Sequence, residues 1–271
     1  MVDQHQTTTT KIAKVEIVKL KSPTRLVLYG GARSLGDNGA FFHASKNVIA
    51  DYKNDLPVKS YFISNGMRQF IDLINVQPEN SIQSLDVFSH GSDLGLYSVI
   101  GASLQKSLTI DEIDSKNLAS NLYRNWTTKR EQWRLFGNSN WKNLFDISDI
   151  NFKVFTNESK IEIHGCNSAF DGELDTLSSL ISIALSKVGK KRSVVIGHAD
   201  FASPNRGGTK DMSKQDYRHE TRIIYNNGKV IAKTRREGRL SAEFIKKALG
   251  GVKSWKIMNT GLTFILLFFQ Y

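Results

Sequence analysis

Apolar positions along this chain fall into two spacings that take turns. Short apolar runs read as strands over Arg25–Gly30, Val58–Ile63, Leu85–His90, Ser159–His164 and Ser193–Gly197. Between them the spacing becomes helical. Phe41, Ala44, Val48 and Tyr52 share one face of a helix over 40–52, and Met67, Phe70, Ile71 and Ile74 mark a second. A third helix over Leu174–Val188 has apolar positions at 177, 180, 181, 184 and 188. Thr221–Tyr225 and Lys229–Lys233 flank Asn226-Asn227-Gly228, whose Asn-Gly step is a strong hairpin signal. Ser241 is placed to N-cap a last helix over 242–249, which Gly250 ends. Strands separated by helices predict βαβ units, and so a mostly parallel α/β sheet with helices on both faces.

Three stretches break this rhythm. Residues 104–150 are rich in Asn, Ser and Trp, with helical patches at 110–126 and 130–136, and read as a helical insertion without a core of its own. Residues 1–11 read as a disordered polar tail ahead of a single domain over 12–271. Residues 261–271 are strongly apolar but too short to span a bilayer as a helix. They are expected to pack on the core, with contact to a membrane or partner as the alternative.

Composition narrows the picture further. Of 271 residues, 40% are hydrophobic and 23% charged, which suits a chain that buries a sizeable core. One cysteine excludes an internal disulfide framework and a multi-cysteine zinc site. The N-terminus lacks the charged and apolar regions of a signal peptide, so synthesis is expected in the cytoplasm, with any secretion by a signal-independent route. Net charge is +11, and residues 187–256 hold 18 basic against six acidic residues. That basic third suits a solvated face or an anionic partner or membrane surface. No aromatic interleaving or known motif gives it a specific nucleic-acid signature.

Two nucleotide signals fail. Gly31-Ala-Arg-Ser-Leu-Gly36 has the gap of a phosphate-binding loop, but Asp37-Asn38 stands where Lys-Ser or Lys-Thr is needed. No GxGxxG is present there, so the glycines read as a flexible loop after the first strand. A serine-hydrolase elbow is absent as well.

The informative pair is Ser89-His90-Gly91-Ser92 and His164-Gly165-Cys166-Asn167. Each follows an apolar strand, and the carboxyl ends of parallel strands line the ligand crevice. Neighbouring strands would bring the His90 imidazole and the Cys166 thiol into one cleft, the minimum for nucleophilic attack on an acyl carbon. A helix after Cys166 would favour its thiolate. His164, two residues before Cys166, and His198, at the end of the fifth strand, are rival bases. A metal site from His90, His164, His198 and Cys166 lacks any short chelating spacing. Neither metal nor cofactor is expected.

A hydrophobic strand ending in His90-Gly91 and a later one ending in Gly165-Cys166 resemble the caspase-like (clan CD) cysteine peptidases, over roughly residues 25–235. The resemblance implies a caspase-like sheet and hydrolysis of a protein or peptide substrate. It makes Cys166 the nucleophile, His90 the general acid/base, and the amides of Gly91 and Cys166 the oxyanion hole. A third orienting residue is not obligatory in this group. The setting it suggests is a secreted bacterial effector or toxin. The loop over 201–222 is positioned to line a specificity pocket, with Arg218, Arg222, Asp211 and Asp216 all open as its determinant. A caspase-like fold also occurs without activity, so the alternative is an inactive binding module that engages an anionic partner or membrane through residues 187–256 and 261–271.

Overall fold

The computed structural model describes residues 23–124, 143–172, 175–206 and 210–250. The terminal tail, the apolar segment at 261–271 and the helical patch at 130–136 lie outside the described residues.

A seven-stranded sheet forms the centre. Its strands are β1 (Thr24–Gly30), β2 (Val58–Ile63), β3 (Ile82–Phe88), β8 (Phe155–Ile163), β9 (Val194–His198), β10 (Arg222–Asn226) and β11 (Lys229–Thr234). The order across the sheet is β11-β10-β9-β8-β3-β1-β2. The five strands from β2 to β9 are mutually parallel, and the β10–β11 hairpin adds an antiparallel edge. The Asn-Gly step makes the predicted turn, with Asn227 at φ 49° and Gly228 at φ 74°.

Helices cover both faces. The helix α1 (Leu35–Asp51) buries Phe41, Ala44 and Val48 on one face of the sheet, and Tyr52 just beyond its end packs there too. Residues 242–250, also helical, cover Val194, Ile196 and Ile224 farther along that face. On the opposite face, α2 (Gly66–Asn75) and α4 (Leu177–Lys187) pack Met67, Phe70, Ile71, Leu177 and Ile181 onto Leu26, Leu28, Val87, Ile161 and Val195. The α4 helix is shorter than its apolar pattern predicts, and Val188, just past its end, is exposed.

The insertion is more β than its sequence suggests. It carries one short helix, α3 (Ile110–Ser115), closed by a Thr109–Glu112 capping box. Beyond it run β6 (Ala119–Tyr123) and β7 (Leu144–Asp146). With β4 (His90–Gly91) and β5 (Gly95–Val99) they form a second sheet, ordered β4-β5-β6-β7. Strands of two to five residues show too little alternation to be read locally, and the β5–β6 pairing joins segments some twenty residues apart. Leu96, Leu122 and Phe145 seat this sheet on the core beside α2. No helix among the described residues is long and apolar enough to cross a membrane.

Candidate active site

The two strand-end segments are neighbours. β3 and β8 pair in parallel with Val87 opposite Ile163, and the His164 amide donates to the Val87 carbonyl at 2.8 Å. Past that point the chains stay in backbone contact. A side chain at Gly91 would begin 3.2 Å from the Cys166 carbonyl oxygen and 3.3 Å from the Gly165 Cα, and one at Gly165 would begin 3.1 Å from the Ser89 carbonyl oxygen. Two glycines permit this approach, which puts residues 89–91 beside residues 164–166.

His90 lies where the chain leaves the large sheet for the small one. It faces Tyr97 in the β4–β5 pairing, and the Ser89 hydroxyl donates to the Tyr97 carbonyl at 2.9 Å. Half of its side chain is exposed. Its ring makes a T-shaped contact with Phe41, at 5.5 Å between centroids, and Nε2 lies 3.1 Å from the Asp37 carboxylate.

Cys166 is half-buried in the turn that follows β8. The Ala202 amide donates to its Sγ at 3.4 Å, and Asn167, at φ 54°, donates its amide to the Asp200 carbonyl. The loop after β9 therefore holds the thiol in place. Helix α4 starts eleven residues downstream, at Leu177, so the expected helix N-terminus beside Cys166 is not there. The donor that reaches the sulfur is the Ala202 amide instead. The Cys166 amide has no backbone acceptor among the described residues.

Both rival bases are sealed inside. His164 is fully buried, stacks on Phe88 at 4.2 Å, and sets Nε2 3.2 Å from Asp86. His198 is fully buried with neither ring nitrogen hydrogen-bonded among the described residues, and desolvation pushes its pKa down to about 3. A base that exchanges protons with a substrate needs an accessible ring, which only His90 has among the three. The four residues of the possible metal site are likewise split, His90 being half exposed, Cys166 half-buried and the other two histidines sealed inside, and they form no ligand cluster among the described residues.

A different set of donors does converge: Asp86, Glu162 and His164 have ligand atoms all within 4.8 Å of one another. Their cation is already supplied by the protein. The Lys160 ammonium sits 2.8 Å from Glu162 and 3.7 Å from Asp86, and Arg222 pairs with Glu162 from the other side. These cations hold the Glu162 carboxyl well below the usual carboxylate range, against the pull of desolvation. For Asp86 the balance has the same sign, with Lys160 and the His164 hydrogen bond outweighing burial.

The specificity candidates separate in the same way. Arg222 belongs to this core cluster, and Arg218 is a buried partner of Asp216, at 2.9 and 2.7 Å, and of Asp51, at 2.7 Å. Asp211 caps a surface turn through Ser213. All four charges are thus engaged with partners away from His90 and Cys166.

Asp37 and Tyr217 are the neighbours that sequence reasoning missed. The supposed flexible glycine loop is largely helix: Ser34 caps α1, its hydroxyl accepting from the Gly36 and Asp37 amides, which fixes Asp37 in the first turn. Ser34 followed by Leu-Gly-Asp carries a legible N-cap signal. The Tyr217 ring packs against Phe41 and Phe88. Burial raises its phenol pKa, with smaller pushes from Asp37 and Cys166. The chain matches no protein-family model and no curated protein sequence.

Proposed function

We propose that the protein is a cysteine peptidase, or a related thiol amidase, of the caspase-like kind. The observation that carries the reading is the backbone contact of Gly91 with Gly165 and Cys166 beyond two adjacent parallel strands. His90 takes the Cys166 proton, and the thiolate attacks the carbonyl carbon of the scissile amide. The resulting oxyanion is met by the amides of Gly91 and Cys166. As the C–N bond breaks, His90 returns the proton to the leaving amine. Water then attacks the thioester, giving its proton to His90, and releases the acid and the thiol.

The binding-module alternative draws on the basic third, where several charges are already spent on internal partners. Arg206 pairs with Glu237, Arg192 with Glu158, Arg239 with Asp55, and Arg218 and Arg222 are buried pairs. The thiol reading is therefore preferred. An electrophilic peptide ketone tests it by labelling at Cys166. Labelling is expected to vanish in Cys166→Ala, and turnover in His90→Ala to fall about 10²–10⁴-fold. Labelling that persists in Cys166→Ala, or full turnover in His90→Ala, overturns it.

A further inference from the structure

We infer that Asp37 is the positioning residue for His90. The inference rests on the peptidase reading and adds a third member to its machinery. The Asp37 carboxylate accepts from Nε2 at 3.1 Å, which keeps the proton of the neutral ring on that nitrogen. That leaves Nδ1 as the ring's acceptor, the nitrogen that the proposed step would use to take the thiol proton. The same carboxylate compensates the positive charge that the ring acquires once it does so.

Both ends of this contact are held. Asp37 is fixed by the Ser34 cap at the start of α1, and the His90 ring leans on Phe41, one helical turn farther along the same helix. Asp37 makes no other side-chain hydrogen bond among the described residues. Half of it is exposed, so its carboxylate is not needed to fill the core. An acidic residue in a first turn also stabilises its helix through the macrodipole, and that purely structural role predicts a different outcome.

The test uses the full chain and iodoacetamide, whose reaction with Cys166 reports thiol activation without a known substrate. Asp37→Asn is expected to slow alkylation at neutral pH about 10²-fold. This is less than the ~10⁴ typical of a buried triad carboxylate, because solvent screens an exposed one. Nitrogen-15 NMR of the His90 ring is expected to show the Nε2–H tautomer in the parent protein and a mixture in Asp37→Asn. Ala50→Gly weakens α1 at an exposed position away from the site, and is expected to leave both readouts unchanged. If His90→Ala alkylates as fast as the parent, the peptidase reading fails. If His90→Ala is slow but Asp37→Asn matches the parent in rate and tautomer, only the role of Asp37 is overturned. Equal slowing in Ala50→Gly overturns it too, by assigning the effect to helix stability.

Discussion

Arg222 is a fully buried arginine whose guanidinium joins Glu162 to the carbonyls of Arg236 and Gly238. It completes a buried row in which Lys160 and His164 face Glu162 and Asp86. Taking one cation out of such a row strands a carboxylate in low dielectric, at a cost of roughly 3–5 kcal/mol. Arg222→Ala is therefore expected to lower the urea midpoint sharply. Arg206→Ala, which opens an exposed pair with Glu237, is expected to cost less than about 1 kcal/mol. In the sequence, Asp86 and Glu162 sit among apolar neighbours and give no sign that they are fully buried. Burial follows because both faces of the sheet are covered, and their counter-ions come from residues 60 or more positions away or from the same strand.

The small sheet depends on a contact that only glycine allows. A Cβ at Gly95 would lie 2.1 Å from the Leu122 carbonyl oxygen, a backbone atom that cannot swing aside. Gly95→Ala is expected to destabilise by about 1–3 kcal/mol. It should also disturb His90, which pairs through β4 with Tyr97 on the same strand, so slower Cys166 alkylation should accompany the lower melting temperature. At this level the sequence was legible where periodicity ran long. The five core strands, the hairpin and the helical faces of α1 and α2 sit where their apolar spacing predicts, and α4 does so except at Val188, which lies exposed past its end. His90 and Cys166 could be picked out because each follows such a strand and adjoins a glycine. Asp37 could not, because its meeting with His90 spans 53 residues and depends on how α1 lies over β3. The expected thiolate-favouring helix failed for a similar reason. Between Cys166 and the apolar run lies a polar turn whose Asn167 and Ala169 amides donate to the Asp200 and His198 carbonyls, and α4 starts only after it.

The whole molecule inherits a pH profile from its interior. His198 is held neutral down to about pH 3 by desolvation, whereas an unfolded chain protonates it near 6.5. Between those values the unfolded state binds more protons, so stability falls as pH falls. Asp86 and Glu162, with depressed folded values, act in the same direction. Their contribution is complete above the ordinary carboxylate range and is lost as the medium acidifies through it. Urea midpoints are expected to be highest near neutrality, to decline from about pH 6.5, and to drop more steeply below about pH 4.5. His198→Phe should flatten the first part of the decline and leave the second. Finally, the imidazole and the thiol are carried by different sheets. His90 belongs to the four-stranded sheet, while Cys166 continues the seven-stranded one. The seating of the smaller layer on the shared core, through Leu96, Leu122 and Phe145, therefore helps set where the ring stands relative to the sulfur.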